Sequence, residues 1–345
     1  MRKKIGYSFI IMIFFAFVFL VTSCDNVSTA STSSSQGSTG TMSTTTYTRV
    51  DNKIYFGTYP QTNVTDVDLI TSLNEKAGTL PTSTAVGNWT DYNYYISSSV
   101  TSYMYYQDID YDNDGDYDYR GVYFTQYRPT YSSSSSSTNA SRQDDNGYST
   151  NTVYWFSYDP IEWNILEVSN DKALIIANLT LDSQEYYPSD STSSFEHNGG
   201  TGYANNYELS NIRKWLNDNF YNIAFNDLQK DLIETTKVDN SASSIGNISN
   251  EYVCNNTNDK MFLLSNKEAT TYYTSDEERQ TKGTDYAKCQ GLSIDSSTGN
   301  SLWWLRSPYN NVAPIARNAN AGGDVSRSGI GNANRGIRPA CYINL

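Results

Sequence analysis

Residues 301–345 read SLWWLRSPYNNVAPIARNANAGGDVSRSGIGNANRGIRPACYINL. Two firm edges frame a soft middle. Trp303-Trp304-Leu305-Arg306-Ser307-Pro308 and Gly336-Ile337-Arg338-Pro339-Ala340 hold the bulky and restrained residues, whereas Tyr309–Arg335 is crowded with Asn, Gly, Ala, Ser and Arg. The first edge reads as a core strand over Trp303–Arg306, the second as the last strand over Gly336–Ile343. Pro339 cannot donate to a ladder, which places that strand at an edge or a bulge. The middle alternates poorly and reads as exposed loop and short strand held at both ends.

Outward from this frame, Ile212, Trp215, Leu216 and Phe220 share one helical face. Asn226-x-x-Gln229, Ser265-x-x-Glu268 and Ser275-x-x-Glu278 each read as a capping box. Met261–Leu264 reads as a short buried strand. Further upstream, Ile54–Tyr59 reads as a strand and Asp68–Ala77 as a helix closed by Gly78. Tyr103–Asp110 and Asp116–Phe124 form a hairpin pattern around Asp112-Asn113-Asp114-Gly115. Ser132–Ser137 reads as an exposed loop. Val153–Tyr158, Ile161–Val168 and Ala173–Leu179 read as successive strands, with Ser169-Asn170-Asp171 turning between the last two. Neither an internal repeat nor a Gly/Pro-rich break divides this part, so one α+β domain is expected over residues 47–345.

The beginning of the chain has the pattern of an export signal. Arg2, Lys3 and Lys4 precede an apolar run from Phe9 to Val21, shorter than the roughly 20 apolar residues of a spanning helix. A signal peptide is expected over residues 1–23. Leu20-Val21-Thr22-Ser23-Cys24 resembles a bacterial lipobox, which would make Cys24 the lipidated first residue of the mature protein; an ordinary secretory peptide is the alternative. Residues 24–46 are rich in Ser and Thr and are expected to be a flexible tether. The expected location is a bacterial membrane, the outer one with the domain facing the exterior, and the bilayer is a partner through acylated Cys24.

Charge and composition narrow the chemistry. Losing Arg2, Lys3 and Lys4 would move the net charge from −13 to −16, which argues against nucleic acid as a partner. Cys254, Cys289 and Cys341 do not fit zinc spacing and read as buried or singly paired structural residues. His197 is the one histidine, in a stretch that reads as loop. Acyl transfer and most metal hydrolysis rely on histidine, so an enzyme is not expected. Asp110, Asp112, Asp114 and Gly115 match the first half of a calcium loop, but its twelfth position is Gly121 rather than Glu. A plain turn is preferred there; no cofactor is expected, with calcium the alternative.

IYFGTYPQ (54–61), PIEW (160–163), IRKWLN (212–217), FLLS (262–265), WWLRSP (303–308) and GIRPA (336–340) together resemble a bacterial surface domain family. Its members are mostly of uncharacterised function and have a C-type-lectin-like fold related to that of formylglycine-generating enzymes. Within it the chain resembles the Treponema variable proteins, lipoproteins whose C-terminal region is diversified by a retroelement. The resemblance implies short antiparallel strands with a few helices over residues 50–345. It also implies a variable region at 309–335. Errors copied at the adenines of AAC or AAT codons cannot yield Lys, Glu, Gln, Met or Trp, and Tyr309–Arg335 contains none of these. It retains Asn310, Asn311, Asn318, Asn320, Asn332 and Asn334.

A diversified surface of this kind implies ligand contact at Tyr309, Asn310, Asn311, Val312, Pro314, Arg317, Asn318, Asn320, Ser326, Arg327, Ile330, Asn332, Asn334 and Arg335. The expected function is adhesion-like binding of a protein or glycan. The Glu-Pro-Asn, Gln-Pro-Asp and Trp-Asn-Asp tripeptides of calcium lectins are absent, which favours a protein. One alternative is an invariant envelope adhesin or structural lipoprotein. A remote one is a formylglycine-generating type of enzyme, which needs closely spaced reactive cysteines; Cys289 and Cys341 are far apart in sequence.

Overall fold

The computed structural model describes residues 46–82, 85–92, 104–128, 142–187, 194–197, 200–246, 252, 254–309 and 312–345. The expected signal peptide, Cys24, the tether as far as residue 45 and Ser132–Ser137 lie outside them. Thr46, assigned to the tether by sequence, is buried.

The chain forms strands β1 (Thr48–Val50) and β2 (Lys53–Asn63), helix α1 (Val67–Ala77), strands β3 (Thr90–Asp91), β4 (Met104–Ile109) and β5 (Tyr119–Phe124), and helix α2 (Arg142–Asp145). Strands β6 (Val153–Ser169), β7 (Lys172–Ala177), β8 (Asp182–Ser183), β9 (Ser194–His197) and β10 (Gly200–Tyr203) follow. Next come α3 (Asn211–Trp215), a π segment (Leu216–Phe220), α4 (Tyr221–Ala224), α5 (Asp227–Leu232) and β11 (Thr236–Val238). Helix α6 (Ala242–Ile245), β12 (Thr257–Asp259), α7 (Asn266–Tyr272), α8 (Asp276–Arg279) and α9 (Asp285–Cys289) precede the C-terminal strands. Those are β13 (Trp303–Pro308), β14 (Ile315–Ala319), β15 (Val325–Gly329), β16 (Gly336–Ile337) and β17 (Ala340–Asn344).

The result is an α+β arrangement of helices on largely antiparallel sheets. One sheet runs β1-β2-β6-β5-β4-β3, with β7 against β6 and β17 against β7. The long β6 pairs with β5 over Val153–Ser157 and with β7 over Trp163–Ser169. Two separate strands were expected here. Pro160 does not break the run because it lies opposite Thr58 next to a register shift, where the ladder is already irregular and a missing N–H costs little. A second sheet runs β15-β14-β13-β16-β8.

The expected last strand, Gly336–Ile343, divides between these sheets. Strand β16 lies parallel to β13 and antiparallel to β8, whereas β17 lines the edge of the first sheet beside β7. Pro339 marks the crossing. Next to it the buried Arg338 donates from Nε to the Ala177 carbonyl at 2.7 Å and stacks over Trp303 and Tyr273. Met261–Leu264 is buried but is not a ladder strand: Phe262 forms a single bridge with Ala340, and the Leu264 carbonyl accepts from the Arg306 backbone N–H.

Local chemistry explains the elements that sequence identified. The three capping boxes form as expected at the starts of α5, α7 and α8. Asp66 caps α1, and Gly78 takes φ 74° at its end. Asn170 and Asp171 both have positive φ, the requirement of a two-residue hairpin turn between β6 and β7. Ile212, Trp215, Leu216 and Phe220 bury one face of a continuous helical run through α3, the π segment and α4. His197 lies on β9 opposite Gly200 rather than in a loop. The main core contains Trp163, Trp303 and Trp304, and a smaller cluster packs α1 against Trp89 and Trp155. Among the described residues no helix is long and apolar enough to cross a membrane.

Candidate ligand-binding face

Strands β14 and β15 form a hairpin at the edge of the second sheet, with β14 paired to β13. Ala316 and Asn318 on β14 and Ser328 on β15 face inward and are buried, while Arg317 and Arg327, directly opposite each other, face outward. Like charges at such a pair repel. Tyr309, just after β13, relieves this. The Arg317 and Arg327 guanidinium carbons lie 4.7 and 4.6 Å from its ring centroid, and Arg327 also donates to its hydroxyl. Partial burial holds the Arg317 guanidinium below the usual arginine range; the tyrosine opposes this shift and Arg327 adds to it. Among the described residues no carboxylate pairs with either arginine.

The fourteen residues marked by sequence therefore separate. Tyr309, Val312, Pro314, Arg317, Ser326 and Arg327 are exposed or half-buried around the hairpin. Half-buried Asn320 closes its tip through both side-chain atoms to Asp324. Asn310 and Asn311 lie outside the described residues. Four expectations are corrected: Asn318, Ile330, Asn332 and Asn334 are buried. After β15 the chain turns back into the molecule to reach β16. There the Ile330 carbonyl accepts from Tyr186 and Tyr187, and the Asn334 carbonyl from Ser293. Asn318 donates to the Ser328 hydroxyl, which also accepts from Arg335 at 2.7 Å. Arg335, half-buried, therefore belongs to the inner polar layer.

The acidic turn between β4 and β5 is also rearranged. Oxygens of Asp110, Asp112 and Asp118 lie within 4.8 Å of one another. Asp114, expected in this group, instead accepts the Asp116 N–H. The Asp110 carboxylate accepts from Asn113, Asp114 and Gly115, and that of Asp118 from Tyr111. Backbone N–H groups thus occupy oxygens of Asp110, Asp114 and Asp118 in this turn.

Cys254, Cys289 and Cys341 are free. Burial pushes the Cys254 thiol up to about 11 and raises Cys289 and Cys341 as well. A nucleophilic cysteine needs the opposite shift. At pH 8 about one Cys254 thiol in a thousand would be ionised. Iodoacetamide at that pH is therefore expected to label none of the three until the chain is unfolded, as read by intact mass. Rapid labelling of Cys289 or Cys341 in the native state would revive the thiol-enzyme alternative.

Sequence reasoning missed a second concave region. A cleft of about 530 Å³ opens between β3–β5, the Gln184-Glu185 segment after β8, and the helical run from Asn211 to Ile223. Its position at the far edge of the second sheet from the hairpin follows from the strand order. No local signal marks it, because its lining comes from segments far apart in the chain.

A family described as a domain of unknown function, DUF6273, matches residues 170–345. That span includes the second sheet and the hairpin. No curated protein and no solved structure matches the chain.

Proposed function

We propose a ligand-binding role for this chain, which belongs to the DUF6273 family. In this reading it is an exported lipoprotein anchored through Cys24, displayed on the outer membrane, with a C-type-lectin-like scaffold. The outer face of the β14–β15 hairpin contacts a protein ligand. The observation that carries the reading is the triad on that face: one tyrosine flanked by two arginines without a carboxylate partner among the described residues. Tyr and Arg are the residue types enriched at energetic centres of interfaces. A guanidinium pair without a counter-charge favours an acidic patch on the partner.

Retroelement diversification is a further part of the proposal and rests on the residue types absent from Tyr309–Arg335. A second reading, an invariant envelope adhesin, is favoured by the burial of Asn318, Asn332 and Asn334. Interior asparagines have a structural reason to be present that needs no codon bias. Sequencing the locus in sibling strains separates the two. Differences confined to adenines within residues 309–335 support diversification; even scatter over the domain supports the invariant form.

The binding role is tested by capture of partners with the full chain and with a Tyr309→Ala, Arg317→Ala, Arg327→Ala variant. The triple variant is expected to lose at least tenfold in affinity, the loss of one hot-spot side chain or more. Equal recovery by both chains would remove this face from the site.

A further inference from the structure

The cleft beyond β8 carries chemistry that the hairpin reading does not use. Its floor is aromatic and buried: Tyr59, Tyr92 and Trp215, with Tyr106 half-buried beside them. Two carboxylates line it. Glu185 is 6% exposed and is ion-paired through Oε2 with Arg128 Nη2 at 3.5 Å. Asp91 Oδ1 is buried and has no hydrogen-bond partner. A buried acceptor without a donor is destabilising, so Asp91 points to a donor that arrives from outside.

The cations that line the cleft are already committed. Arg120 places Nε and Nη2 on the two Asp108 oxygens at 2.7 Å each, directs Nη1 to the Tyr286 hydroxyl, and stacks on Tyr106. Lys214 is paired with Asp218 on the rim. Behind the wall, buried Asp182 accepts from the Tyr59 hydroxyl and from Gln184. The local balance of Asp91, Asp108, Asp182, Glu185 and Asp218 against Arg120, Arg128 and Lys214 is negative, as is the whole chain at −13. The free Asp91 acceptor, π faces and negative potential together select one chemistry, a positively charged donor with an apolar stem.

We infer that this cleft binds a small organic cation, an amine- or guanidinium-bearing molecule. Its charge sits against Asp91 and Glu185 and its stem against Tyr59, Tyr92, Tyr106 and Trp215. The π segment Leu216–Phe220 supports the assignment. Its wide turn, closed by the Tyr221 N–H on the Leu216 carbonyl, separates Trp215 from Asn219 and Ile223, all three of which line the cleft. Such turns recur at binding sites.

The test is calorimetric titration of the full chain with 1,4-diaminobutane and with arginine methyl ester. Butane-1,4-diol serves as the uncharged control of matched length. At least one cation is expected to bind saturably with a Kd of about 1 mM or tighter, and the diol not at all. Asp91→Asn, at a half-buried residue that forms no ion pair among the described residues, is expected to weaken binding about tenfold. Glu185→Gln should do the same; if its circular dichroism shows misfolding, Asp91→Asn alone decides. The Tyr309→Ala, Arg317→Ala, Arg327→Ala variant should bind the cation unchanged, which keeps this inference separate from the hairpin's function. No saturable binding of either cation up to about 10 mM, equal binding of the diol, or an Asp91→Asn variant that binds as well as the native chain would each overturn it.

Discussion

Glu268→Ala is expected to lower the unfolding free energy by about 3 kcal/mol, the lower end of the range for breaking a buried ion pair. Arg306 lies in β13 with its side chain 1% exposed, and Glu268 on α7 meets it with both oxygens, one at 2.6 Å. The guanidinium also donates to the carbonyls of Leu263 at 2.9 Å and Asp239 at 3.2 Å. Without Glu268 the cation stays buried with only neutral acceptors. The same glutamate closes the α7 capping box by accepting the Ser265 N–H at 2.8 Å, so half of the box is lost with the pair. Glu268 is 30% exposed, and water reaching it is why the lower end applies. The check is urea denaturation. Combining Glu268→Ala with Arg306→Met should recover part of the loss, because the stranded charge is then gone. A double variant less stable than Glu268→Ala alone would contradict this.

Gly323→Ala is expected to cost about 2–5 kcal/mol, from a left-handed backbone and a steric overlap acting together. Gly323 has φ 90°, and a Cβ there would stand 1.7 Å from the Asp276 carbonyl oxygen. The tip is docked on α8 at this point: Arg279 Nε donates to the Gly323 carbonyl at 2.8 Å, and Gln280 to that of Gly322 at 3.0 Å. An alanine must push the tip away and take the acceptor from Nε of Arg279, which is 7% exposed and keeps Tyr273 and Asp276 as its other partners. Hydrogen exchange at the hairpin amides should quicken with the fall in stability. Native protection in Gly323→Ala would show that the tip is not held there. The freedom of the soft strip thus applies to one face and not to its turn.

The frame was legible in the sequence because its signals are local. Capping boxes need only two residues at a fixed spacing, and Asn170-Asp171 needs only positive φ. The double tryptophan and Arg306 marked β13 through bulk alone. Facing was harder. Asn318, Asn332 and Asn334 look like surface residues, yet all three are buried; Asn318 donates to Ser328 and Asn334 accepts from Arg335, whereas the Oδ1 atoms of Asn318 and Asn332 have no partner. In β5 the alternation gave the strand but no facing: Arg120 is buried between Asp108 and the rings of Tyr106, Tyr158 and Tyr286. A tyrosine suits either face of a strand, so its period carries no direction. The cleft was not legible at all, because its walls come from segments far apart in the chain that only the fold brings together.

The central claim is that the core holds the fold while the outer hairpin face is free to meet a partner. Its most direct test is the urea midpoint of the Tyr309→Ala, Arg317→Ala, Arg327→Ala variant beside the native chain. These side chains lie off the core, and removing two like charges that face each other offsets the lost stacking, so the difference should stay within about 1 kcal/mol. A loss of about 3 kcal/mol or more, on the scale of Glu268→Ala, would show that the triad holds the fold together and would contradict its assignment as a free binding face.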